Sequence, residues 1–199
     1  MAPHRHCKHF IAGVGLIIDS GSGVVVDGVV YFFISGAYNC AFLTGTGKLP
    51  DIASFDLGRE EWSRDLQAPM GHNIGSVENF HSPMYQHTLA EFKGSLVLVY
   101  KRRQQSTFVM DLWFLTDLEK GVWVKEYAIR TEWINLDTSS ADFYQVEPIL
   151  MLDDGRLVLH LTMAGILLIW DPRSNNFAQL EIRDLNSVAI YTGSLLSLQ

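Results

Sequence analysis

The chain has 199 residues, with 22 acidic against 15 basic side chains, a formal charge of −7, and 48% apolar against 19% charged residues. That length holds one domain with a sizeable core or two small ones. The acid excess argues against a nucleic-acid partner held by general electrostatics, and no apolar run reaches the roughly 18 residues of a spanning helix, so no membrane partner is expected.

In chain order, the N-terminal MAPHRHCKHF is basic, but Ser20-Gly21-Ser22-Gly23 soon closes the apolar run after it, and no signal peptide is read there. Two cysteines, Cys7 and Cys40, and no Asn-x-Ser/Thr sequon suit a reducing compartment, the cytoplasm or the nucleus. Residues 1–22 read as a tail that carries one strand, Phe10 to Ile18, left over from a preceding unit. His4, His6, Cys7 and His9 are metal-ligand types, yet no second ligand cluster stands at a suitable spacing, and a frayed terminus is the simpler reading, with no metal. The domain proper is expected over 23–199, in three blades at about 23–67, 87–130 and 147–183 with a closing strand at 189–198.

Three glycines align these blades: Gly28 in VVVDGVVYFFI, Gly94 in AEFKGSLVLVY and Gly155 in MLDDGRLVLHL. Each ends a tight turn between two apolar runs, as a hairpin requires. Downstream of each, an apolar run contains an Asp followed six residues later by an aromatic: Asp56 with Trp62, Asp117 with Trp123, Asp171 with Phe177. The Asp-to-Asp periods, 61 and 54 residues, fall just above the length of a kelch or WD propeller blade. The Asp is expected to end a third strand and to accept turn N–H groups, and the aromatic to start a fourth strand and point into the core. The third copy, Leu152 to Ile182, reads as a complete four-stranded meander, with strands at Leu157–Leu161, Ile166–Trp170 and Phe177–Ile182. No window sustains a 3.6-residue period. The chain is therefore all-β, a partial or incomplete β-propeller of antiparallel four-stranded blades, since such rings take about four to eight blades.

In a meander the connections alternate between two ends of the sheet, and the long segments, about 35–50, 67–86, 101–107 and 131–146, are expected to gather on one of them. They carry Tyr38, His72, Asn73, His81, Tyr85, Arg102, Arg103, Trp133 and Asp142, and aromatic and Arg residues are the usual interface anchors. Tyr38, His72, His81, Tyr85, Arg102, Arg103 and Trp133 are the candidate protein-binding residues. No catalytic constellation emerges. Gly45-Thr46-Gly47-Lys48 has Phe42 where a phosphate-binding loop needs its first Gly and Leu49 where it needs Ser or Thr. Gly13-x-Gly15 lacks a third glycine and a helix. Asp153-Asp154 lies in a turn, where Asp is common. No enzyme and no cofactor are expected.

The order of VVVDGVVYFFI, IASFDLGREEW, LAEFKGSLVLVY, DLWFLTDLEKGVWVKEYAI, GILLIWDPRSNNFAQLEI and YTGSLLSL is similar to that of the F-box-associated β-propeller domain of plant F-box proteins, a kelch-related module. The resemblance covers Val24 to Leu198. It implies a module that captures the protein to be ubiquitinated, in a cullin–RING ligase whose Skp-type adaptor holds a separate F-box. No F-box pattern stands in these residues, so an adaptor is expected only with an F-box upstream, and the target protein is unnamed. Two alternatives stand beside this: a sugar- or small-molecule-binding kelch-like propeller, and a truncated fragment without independent function.

Overall fold

A computed structural model describes residues 23–33, 52–63, 66–69, 85–104, 107–130, 146–161, 165–180 and 182. Among them there is no helix; twelve strands form three antiparallel four-stranded sheets, the all-β architecture of an incomplete β-propeller. The chain divides into two units, Met1–Glu132 with the first two sheets and Trp133–Gln199 with the third.

The first sheet runs β1 (Val24–Val26), β2 (Val29–Phe33), β3 (Ile52–Asp56) and β4 (Glu61–Trp62) in spatial order. Its outermost line continues past β4, since Leu66 and Ile52 exchange backbone hydrogen bonds at 2.9 and 3.1 Å. The second runs β5 (Tyr85–Phe92), β6 (Ser95–Gln104), β7 (Thr107–Asp117) and β8 (Val122–Arg130). The third runs β9 (Val146–Met151), β10 (Leu157–Leu161), β11 (Ile166–Asp171) and β12 (Asn176–Leu180). Pro148 in β9 lacks an N–H, and there the ladder slips by one residue, between Val158 and Leu159 of β10.

The hairpin turns follow from a few backbone angles. Asp27-Gly28 and Lys93-Gly94 both place two residues at positive φ, 49° and 77°, then 52° and 77°. That is the two-residue turn whose twist matches its flanking strands. The third copy differs. Asp153-Asp154-Gly155 is a three-residue loop, closed by Gly155 N–H on the Leu152 carbonyl at 3.0 Å, with Gly155 at φ 88°.

The third-to-fourth turns are the same device three times. Asp56 pairs with Glu61, Asp117 with Val122 and Asp171 with Asn176, so four residues loop between them. The last of the four is left-handed each time: Glu60 at φ 56°, Gly121 at 66°, Asn175 at 54°. Asp56 Oδ1 accepts the N–H of Gly58 and Arg59, Asp117 Oδ1 that of Lys120, and Asp171 Oδ1 that of Arg173. This loop accounts for the six-residue spacing. It brings the aromatic opposite the third strand, so Trp62 pairs with Phe55, Phe177 with Trp170, and Trp123 with Leu115 after a bulge at Thr116. The expectation that these aromatics point into the core holds for Trp123, which is half-buried and packs against the core of the first unit. It is corrected for Trp62 and Phe177, which are half-buried at the outer strand and lie against the rings of the strand before, Phe55–Trp62 at 5.3 Å and Trp170–Phe177 at 6.3 Å between centroids. An outer strand has no fifth strand beyond it to cover such a ring.

The core of the first unit lies between its two sheets. Val26, Tyr31, Phe33, Ile52, Leu66 and Ala68 meet Leu89, Leu96 and Leu98. Phe33 and His87 make an edge-on ring contact at 4.6 Å. In the second unit Val146, Leu157, Leu159, Leu161, Leu168 and Trp170 are buried.

Candidate functional site

Of the candidate binding residues, Tyr38, His72, His81 and Trp133, with Asn73 and Asp142, lie outside the described residues. Tyr85, Arg102 and Arg103 lie in strands. Tyr85 pairs with Arg102, Arg102 with Val109, and Arg103 with Phe108. A loop at 101–107 is thus corrected to a hairpin whose ladder continues to Gln104 and Thr107. The polar run Lys101-Arg102-Arg103-Gln104-Gln105 reads locally as a loop. From Lys101 to Gln104 it is strand, because Thr107 to Met110 stands opposite and supplies the ladder.

Around Arg102 the structure builds one charged cluster. Register places Tyr100 and Ala128 opposite Asp111, and Arg102 and Arg130 opposite Val109, all on one face of the second sheet. Asp111 is 2% exposed. Arg102 Nε donates to its Oδ2 at 3.4 Å, and Lys125 Nζ stands 3.8 Å from Oδ1, within ion-pair range but beyond a hydrogen bond. Asp111 Oδ1 therefore makes no hydrogen bond, and neither does the buried Trp113 Nε1. Lys125 completes the arrangement by lying over the Trp113 ring, 5.7 Å from its centroid. Both cations keep a wet side, with 29% and 41% of the Arg102 and Lys125 side chains exposed, while the carboxylate between them is dry. The cluster thus holds two positive groups at the surface on one buried negative group.

Lys125 and Trp113 meet because of the bulge between Leu112 and Trp113, which shifts the β7–β8 register by one and sets Trp113 opposite Lys125. Two residues earlier on β8, the half-buried Trp123 donates through Nε1 to the Gln67 carbonyl at 2.9 Å, tying the second sheet to the segment that follows the first. The Leu-Trp and Trp-x-Lys pattern of DLWFLTDLEKGVWVKEYAI is therefore one packed unit. Asp111 and Lys125 were not singled out from the sequence. The available signal was an acid in the middle of the apolar run Phe108 to Leu115, where a charge needs a partner.

Two turn carboxylates, Asp171 and Asp154, are stabilised as anions by their own loops. N–H donation from Arg173, then the Ser174 hydroxyl at 3.0 Å, holds the Asp171 carboxyl below its ordinary value. The Arg156 N–H, then its guanidinium at 2.7 Å, does the same for Asp154. Burial, with the Asp27 charge behind it, raises the Tyr31 phenol. Among the described residues no three His, Cys, Asp or Glu side chains are placed to hold a metal ion. Arg102, Lys125 and Trp113 set a guanidinium, an ammonium and an aromatic ring on one face of the second sheet.

Comparison with known proteins bears on this directly. The model of the F-box associated beta propeller domain family matches residues 9–194. No curated protein matches the chain.

Proposed function

We propose, from the premise that this chain belongs to the F-box associated β-propeller domain family, that it is the target-capturing part of an F-box protein in a cullin–RING ubiquitin ligase. It binds a protein and performs no chemistry on it. The adaptor contact belongs to an F-box joined to it, and the working compartment is the cytoplasm or nucleus.

The observation that carries this reading is the family match across residues 9–194. The geometry supports it in kind. A scaffold of repeated rigid turns carries Arg102 and Lys125 half-exposed at fixed positions, and planar or charged groups on a stiff support are efficient interface anchors. Tyr38, His72, His81, Tyr85, Arg103 and Trp133 are the further residues proposed to contact the target.

The test joins the chain to an F-box and expresses it in cells. A protein that it captures then gains ubiquitin chains and falls in abundance, and a variant with Arg102→Glu, His81→Ala and Trp133→Ala loses both effects. If no protein is depleted, or the variant depletes the same proteins to the same extent, the reading is wrong.

A further inference from the structure

The charged cluster of the second sheet carries more cation than its buried carboxylate needs. Asp111 is 2% exposed, and Arg102 Nε already pairs with it by donating to Oδ2 at 3.4 Å. Lys125 is the surplus. Its ammonium stands 3.8 Å from Oδ1, too far to donate to it, and 5.7 Å from the centre of the Trp113 ring. The Arg102 and Lys125 cations against the Asp111 anion leave one net positive charge at this spot, on a chain whose formal charge is −7. Two buried polar atoms beside it, Asp111 Oδ1 and Trp113 Nε1, make no hydrogen bond, and native interiors leave few such atoms. A cluster that served only to neutralise Asp111 would need neither the second cation nor the unmet indole donor.

The surplus charge is both reachable and held in place. The Lys125 side chain is 41% exposed and that of Arg102 29%. Ala128, directly opposite Asp111 on β8, is exposed and short, and the exposed Arg130 follows it on the same face. Glu126, the unpaired residue of the bulge, is the neighbouring acid, and its charge acts on Tyr127, which register puts on the opposite face. A free lysine loses rotamer freedom when it binds. Lys125 lies over the Trp113 ring and has spent part of that freedom already, so an incoming anion finds the ammonium in position. One net positive charge matches one carboxylate. We infer that the segment caught by this chain presents an Asp or Glu side chain, whose carboxylate seats on the Lys125 ammonium and the Arg102 guanidinium beside Trp113. The inference rests on the reading of the chain as a target-capturing module and adds the chemistry of what is captured.

Arrayed short peptides, randomised except at one central position fixed as Glu, Gln, Lys or phosphoserine, test it when probed with the 199-residue chain. The Glu set is expected to bind best, and to bind less well as salt is raised. Lys125→Gln changes an exposed side chain, so circular dichroism and melting temperature stay unchanged. The same variant is expected to bind Glu peptides roughly tenfold more weakly, the scale of one lost charge-assisted hydrogen bond, and Gln peptides as before. Lys125→Arg keeps the cation and keeps the preference for Glu. Glu peptides bound no better than Gln, phosphoserine bound better than Glu, or a Lys125→Gln variant with an undiminished preference for Glu would each overturn the inference. The F-box fusion judges the capture reading separately. If the fusion depletes a protein and its Lys125→Gln form depletes it equally, capture stands and the acidic contact falls. If the fusion depletes nothing while the Glu preference holds on the array, the carboxylate site stands and capture falls.

Discussion

At the scale of single residues, the fold turns on a handful of left-handed positions. Three equivalent turns close on Glu60, Gly121 and Asn175, all at positive φ, with three different costs. Glycine adopts the angle freely and Asn tolerates it, whereas Glu carries a Cβ penalty. Asn175 also accepts a hydrogen bond from Trp170 Nε1 at 3.1 Å, so its side chain helps hold the turn. At Gly121 an added Cβ meets nothing within 4 Å, so any cost of substitution is conformational and not steric. Gly121→Ala is therefore expected to destabilise by about 1–2 kcal/mol. Glu60→Gly is expected to stabilise, by less, because the glycine also loosens the unfolded chain. Urea unfolding of the two variants, read as a shift in midpoint at constant slope, checks both signs. The same residue-level view explains why Asp111 escaped notice in the sequence. One acid in an apolar run carries no sign of its partners, and Arg102 and Lys125 reach it only from neighbouring strands.

At the scale of elements, strands were legible wherever polarity alternated or turn residues punctuated the chain, and misread where polarity ran unbroken. VVVDGVVYFFI states its hairpin in eleven letters. KRRQQ does not, because a strand beside long apolar neighbours can carry charge when pairing, and not its own composition, holds it in place. The outer strands show a second effect. The first and third offer one aromatic to the strand inside them, while in the second Tyr127 lies 5.9 Å from Phe114 between centroids and Trp123 donates to the Gln67 carbonyl. Trp123→Phe keeps the ring and removes the donor. It is expected to cost about 1 kcal/mol, the net worth of one hydrogen bond. A fall in melting temperature checks it, and an unchanged one would show that Gln67 is held by other means.

At the scale of the molecule, burial ranks the sheets. The middle strands of the second sheet are buried on both faces, while β4 and β12 carry no fully buried residue. Amides at Val97–Val99 and Met110–Leu112 are therefore expected to exchange with deuterium most slowly, and those of β4 and β12 among the fastest in strands. Hydrogen exchange followed by mass spectrometry reads this order directly. Uniform protection across all three sheets would contradict it.

The amino-acid sequence alone determined the class of fold, because period-two alternation, Asp-Gly hairpins and the Asp-to-aromatic spacing act within about ten residues of each other, where chain geometry leaves little choice. The same local order carried the resemblance to F-box-associated propellers. Only the tertiary structure decided that Arg102 lies on a strand, that Asp111 is dry between two cations, and which sheet faces are covered. Those outcomes depend on strand register and on which face of the sheet is covered, and the order of residues in the chain does not by itself fix either.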